Sequence, residues 1–258
     1  MLAPLLVASL VALQAPAGPV ARLLQPVSAE GTRVTVRTTE PDEAVNDQVR
    51  RLLPAAIRAA SRWGALPPEV ELTVHATHAG LEDATQRAGS PWMRAWTRPG
   101  RVDLQSPRTW SRGRASDAAL TQILSHELTH CALFAVVGRD GRADEVPLWF
   151  LEGMATVAAG EHHDLARADA LTNPAPVLRT DARLVYGTAD RAFRELVSLV
   201  GDAGIRKVMA RLAEGRAFAA AFHDGTGLVL ADFEGDVARR LAAVAHHGPD
   251  APARQAVQ

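Results

Sequence analysis

Alternation of apolar and polar positions in the first third of the chain gives way to helical spacing in the remainder. Val34 and Val36 alternate with Arg33, Thr35 and Arg37, which predicts a strand over 32–38. From 42 to 63, Val45, Val49, Leu52, Leu53, Ile57 and Ala60 recur at helical intervals and predict an amphipathic helix, with Pro54 as the place for a kink. A second strand is predicted over 70–74, after the Pro67-Pro68 boundary. Two short strands, 92–96 and 101–104, flank Pro99-Gly100.

The apolar run Leu120, Ile123, Leu124, Leu128 and Cys131 has neither Gly nor Pro within it and follows Ser116-Asp117, a plausible N-cap. It predicts a buried core helix. A second buried helix is read in Val146-Pro147-Leu148-Trp149-Phe150-Leu151-Glu152-Gly153-Met154-Ala155, with Pro147 in its first turn. Further helices are predicted over 184–200, 201–212, 217–222 and 228–244, with Phe222, Leu228, Leu230, Phe233 and Leu241 supplying their core. The fold class is therefore α+β. A small N-terminal mixed sheet lobe (30–115) precedes the two buried helices (116–160) and a mainly helical C-terminal lobe (161–246).

The termini read differently. Leu2 to Leu13 is almost continuously apolar and is followed by Ala15-Pro16-Ala17, small residues at cleavage-site spacing. Residues 1–21 are read as a bacterial-type signal peptide, so the mature chain is expected to be exported, periplasmic or secreted. The other reading is an uncleaved anchor, although the run falls short of the ~20 residues a spanning helix needs. Residues 247–258 lack any period and are expected to be a disordered tail.

Composition narrows the function. A net charge of -1, twelve aromatics and no basic block give no support to nucleic-acid binding. The single cysteine, Cys131, excludes an internal disulfide and reads as a small core residue.

The chemistry lies in His126-Glu127-Leu128-Thr129-His130. Histidines four apart on a helix project from one face and can reach one zinc ion. Glu127 then sits beside the open coordination position, where a carboxylate can take a proton from water. A hydrolytic zinc usually keeps three protein ligands. A third histidine six positions beyond His130 is excluded by Val136, so an acid must serve: Asp140, Asp144, Glu145, Glu152 or Glu161. Glu152 is the best of these, because a lone carboxylate in so apolar a helix is costly to bury without a partner. Gly153 beside it is expected to let this helix approach the first one closely. His162 and His163 are placed at the rim of the site, and His223, His246 and His247 on the surface.

Taken together, His-Glu-Leu-Thr-His and the downstream Trp149-Phe150-Leu151-Glu152-Gly153-Met154-Ala155 resemble the gluzincin metallopeptidases, specifically the peptidase MA-like group, whose second motif reads Trp-x-x-Glu-Gly-x-Ala. The resemblance implies a zincin-like fold and one zinc per chain held by His126, His130 and Glu152. It also implies Glu127 as general base and a peptide or protein substrate. Tyr186, the only tyrosine, resembles the group that steadies the oxyanion in such enzymes; the other reading is a boundary tyrosine with a wet hydroxyl. The resemblance further implies an edge strand that pairs with substrate, a role assigned to 101–105. Two rivals remain in view. One is a catalytically silent zincin-fold binding or scaffold protein. The other is a di-iron carboxylate bundle, disfavoured because no second Glu-x-x-His occurs.

Overall fold

A computed structural model of the chain describes residues 22–23, 25–110, 115–138 and 142–246. The leader through 21, the tail from 247, Arg112, Arg114 and Asp140 lie outside the described residues.

The sheet is built from β1 (Arg22–Leu23), β2 (Val27–Ala29), β3 (Thr32–Thr38), β4 (Glu69–His75), β5 (Ala95–Arg98) and β6 (Arg101–Gln105). Its order is β1-β3-β4-β6-β5, with β2 pairing β3 from off this path. β3, β4 and β6 run parallel, and β5 returns antiparallel to β6 through the Pro99-Gly100 turn. The alternation that predicts β3 is realised. Val34 and Val36 are fully buried, whereas Arg33 is exposed and Arg37 pairs with Glu71 at 2.9 Å.

α1 (Glu43–Ala60) connects β3 to β4 across one face of the sheet, and its N-cap Asp42 accepts from Val45 N at 3.2 Å. The helix continues through Pro54, the position expected to kink it. Leu53, Ala56 and Ile57 around the proline are completely buried, and this packing offsets the lost helix hydrogen bond. α3 (Asp117–Val137) lies against the same core, in which Leu120, Leu124 and Leu128 meet Val102, Leu104 and the α1 side chains. On the opposite face sits α2 (His78–Thr85), which the hydropathy pattern does not predict. There His78 Nδ1 meets Gln105 Oε1 at 3.0 Å.

That polar face also buries an acid. Asp103 is fully enclosed, with His75 Nε2 at 2.8 Å, Arg101 at 3.2 Å and Arg98 also in contact. These three partners outweigh the cost of burial and hold its carboxyl below the ordinary aspartate range.

The remainder is helical. α4 (Leu148–Ala159), α5 (Asp169–Thr172), α7 (Ala182–Ala213), α8 (Phe218–Thr226) and α9 (Leu230–His246) contribute to a second core around Trp149, Phe150, Phe193, Phe218, Phe222 and Phe233, while α6 (Pro174–Thr180) packs its Val177 with Ala170 and Val185 in a small third cluster. The predicted break between 184–200 and 201–212 is a backbone kink inside α7, where Gly201 takes φ 63°. Trp149 serves this second core and donates to Glu234 Oε1 of α9 at 2.7 Å, which ties α4 to the C-terminal helix. No helix among the described residues is long and apolar enough to cross a membrane.

Candidate metal centre

Ser116 starts α3 by accepting from Ala119 N at 3.1 Å, as the N-cap reading requires. One face of this helix then carries His126 and His130, with ring centroids 4.8 Å apart and nearly perpendicular planes. α4 lies alongside and delivers Glu152. Its Oε2 stands 3.3 Å from His126 Nε2 and 3.6 Å from His130 Nε2. One ligand atom from each of the three residues falls within 4.8 Å of the others.

The donor chemistry fits a metal ion. Glu152 Oε2 is buried without a hydrogen-bond donor, since neither imidazole approaches with hydrogen-bond geometry. Behind His126, Nδ1 is 3.1 Å from Glu161 Oε1. A metal that displaced the Nε2 proton would find Nδ1–H held by Glu161 and the Nε2 lone pair free, the tautomer a ligating histidine needs. His130 has no such backing, because its Nδ1 is buried without a hydrogen-bond partner among the described residues.

The electrostatics reflect the crowding. Burial opposes a charge on His126, but the carboxylates of Glu152 and Glu161 outweigh it and raise its pKa well above that of ordinary imidazole. Burial likewise opposes ionisation of Glu152, and the two histidines overturn it, holding the carboxyl far below the usual range. For Glu161 the same contest, with His126 and His163 as partners, brings the carboxyl down to about 2.

Of the other candidate acids, Asp140 lies outside the described residues. Asp144 and Glu145 are exposed in a short helical turn over 142–145. Glu161 is a neighbour of the ligand set rather than a member of it. Gly160 ends α4 in the left-handed conformation, φ 67°, and the chain turns so that Glu161 comes back to His126. His163 bonds Glu161 Oε2 at 3.0 Å and stacks on Tyr186, while His162 is exposed. Arg194, tied to Asp190 at 2.9 Å, donates to the Glu161 backbone carbonyl and fixes the turn from the side of α7.

Glu127 is half-buried beside the ligands and lines the cleft. Thr97 of β5 donates to its Oε2 at 2.6 Å. No sequence motif marks Thr97; only the sheet order brings it to the motif helix. The tilted rings of Tyr186 and His126 are 6.3 Å apart. Burial and the charges of Glu152, Glu127 and Glu161 push the Tyr186 hydroxyl well above its usual pKa, so it keeps its proton and can donate.

Two cavities meet here. One, of about 270 Å³, is lined by Met93, Arg94, Ile123, Glu161 and His163. The second, of about 200 Å³, is lined by Trp96, Thr97, His130, Phe134, Leu148, Leu151 and Glu152. Trp92, Ala95, His126, Glu127 and Tyr186 belong to both, so the ligand cluster sits where the two join.

Two expectations are corrected. Segment 101–105 is β6, paired on both sides by β4 and β5, so it is not an edge; the edge strand beside the site is β5. Gly153 does not serve the approach of α4 to α3. A Cβ there would lie 2.4 Å from the Ala189 carbonyl oxygen and 2.5 Å from Phe193 Cβ, so the close contact is with α7. Cys131 is fully buried in the sheet-side core, as expected, with its thiol pushed up to about 12 chiefly by burial.

No family model matches the chain, and no curated protein matches it. Among solved structures, an M1 zinc metallopeptidase from Deinococcus radiodurans superposes with a TM-score of 0.49 at 18% identity, covering 86% of this chain and 50% of that one. A two-domain M1 zinc metallopeptidase variant bound to L-arginine gives 0.45 at 16% identity, covering 86% and 51%. The chain thus spans about half the length of the solved structures it matches.

Proposed function

We propose that this protein is a zinc-dependent hydrolase of peptide bonds with a zincin-like α+β fold. The observation that carries the proposal is the convergence of His126, His130 and Glu152 ligand atoms within 4.8 Å, at the junction of two cavities, with the Glu127 carboxylate facing the same space.

His126, His130 and Glu152 would hold one zinc ion. When bound, zinc supplies a Lewis acid that polarises the scissile carbonyl and acidifies water. Glu127 takes the proton from the attacking water and returns it to the leaving amine. Tyr186 keeps its hydroxyl proton and donates a hydrogen bond to the carbonyl oxygen as negative charge develops there. Glu161 orients the His126 ring and keeps its Nε2 lone pair turned toward Glu152. The outer edge of β5, which ends the sheet and borders the cleft, offers backbone groups that can pair with an extended peptide laid along it. An exported chain, with residues 1–21 as its leader, would act on substrates outside the cytoplasm.

Metal content of the purified chain tests the proposal, with Glu152→Ala alongside. One zinc per wild-type chain, lost or much weakened in the variant, is the expected result. Peptide-library cleavage by the zinc-loaded wild type completes the test. A wild type that takes up no zinc on reconstitution, or takes it up and cleaves nothing, overturns the reading in favour of a silent scaffold.

A further inference from the structure

We infer that Thr97 is a positioning residue that selects which oxygen of Glu127 handles the proton; this rests on the hydrolytic reading above. Thr97 is 7% exposed on β5, and its Oγ1 lies 2.6 Å from Glu127 Oε2 and 3.2 Å from the Glu127 backbone carbonyl oxygen. A hydroxyl has one proton to give. The contact to the side-chain oxygen, at 2.6 Å against 3.2 Å, takes it, because the shorter hydrogen bond is the better made. The carbonyl is the weaker competitor, since it lies within α3, where the helix ladder already engages such groups.

Two things follow. Oε2 is committed to Thr97, so Oε1 is the oxygen left to accept a proton from water and to return it. A glutamate side chain has three rotatable bonds, and a fixed Oε2 removes most of the freedom with which Oε1 could swing out of line. The edge strand thereby acts twice, bordering the cleft and aiming the base. Phe134, Leu148 and Leu151, the apolar neighbours on that side of the cleft, cannot replace the hydroxyl.

The test uses the zinc-loaded full chain with Thr97→Val, which keeps the β-branched shape and removes the donor, and Thr97→Ser, which keeps the donor and removes the methyl. Zinc stoichiometry by elemental analysis and thermal unfolding of the metal-free proteins are read beside kinetics. We expect Thr97→Val to keep one zinc and a near wild-type melting temperature, to lose about 10- to 100-fold in kcat, and to hold KM within about twofold. Thr97→Ser should recover most of the lost kcat. Wild-type kcat in Thr97→Val overturns the inference, as does a Thr97→Ser variant as impaired as the valine. If the valine variant unfolds, Thr97→Ala against Thr97→Ser decides by the same criteria. A zinc-loaded wild type that cleaves no peptide overturns the hydrolytic reading and this inference with it. A wild type that cleaves while Thr97→Val matches it overturns this inference alone.

Discussion

Glu161 Oε1 stands 3.1 Å from His126 Nδ1, on the opposite side of the imidazole from Glu152. His130 Nδ1 has no counterpart among the described residues, so of the two histidines only His126 is backed by a carboxylate. Removing it in Glu161→Ala should weaken zinc binding by about 10- to 100-fold while leaving a stoichiometric site at saturating metal. Glu161→Gln keeps an acceptor and should fall between that variant and wild type. Competition against a chelator of known affinity measures both.

Glu127 should be separable from metal retention. Glu127→Gln keeps the shape and loses the base, so zinc content should be unchanged while peptide cleavage falls by about 10²- to 10⁴-fold. Steady-state kinetics beside elemental analysis on the same preparation checks it.

Gly187 should be as sensitive as Glu161 although it bears no side chain. A Cβ at this position would lie 1.6 Å from the Leu165 carbonyl oxygen and 3.3 Å from His163 Cβ. Gly187→Ala must therefore displace the segment that carries Glu161 and His163. The expected outcome is a loss of about 1–3 kcal/mol of stability from overpacking, together with weaker zinc binding like that of Glu161→Ala. Urea unfolding gives the first quantity and chelator competition the second.

Asp103 makes stability depend on acidity. Its folded pKa is depressed, so its contribution is present above the ordinary aspartate value near ~3.9 and is lost as pH falls through the lower folded value. Asp103→Asn should cost about 2–3 kcal/mol at pH 7, a figure reduced from that of a fully enclosed pair because Arg98 and Arg101 are partly solvated. The gap between wild type and variant should narrow once the pH drops below about 4. Urea unfolding at neutral and acid pH measures it.

The grouping of His126, His130 and Glu152 is legible in the sequence because the three sit on two strongly apolar helices whose spacing is a local feature. β3, α1 and β4 are legible for the same reason. What surrounds the cluster is not. Thr97 reaches Glu127 only because β5 folds back on β6 to become the edge, and strand order is a long-range property that alternation alone does not encode. Glu161 stands out as one acid among several, but its alignment with His126 Nδ1 depends on the left-handed Gly160 and on Arg194 from a distant helix. Gly153 is misassigned to the α3 contact because its true packing partner, α7, lies more than thirty positions away in the chain. α2 escapes the hydropathy pattern because its His78-to-Thr85 segment carries one fully buried apolar side chain, Leu81, and so shows no helical stripe.

α3 belongs to two cores at once. Leu128, Cys131 and Ala132 pack with the sheet and α1, whereas Leu133 and Val137 pack with α4 and α7. A helix shared in this way makes the sheet half and the helical half interdependent, since neither can melt without stripping one side of it. The chain should therefore lose its structure in a single step, with Trp63, Trp149 and the sheet reporting the same midpoint. Zinc bridging α3 to α4 would bind the native form alone and raise that midpoint with the logarithm of free metal concentration. If the proposed zinc site is real, catalytic competence and resistance to unfolding would share one dependence on metal supply, and a chain starved of zinc would lose both together.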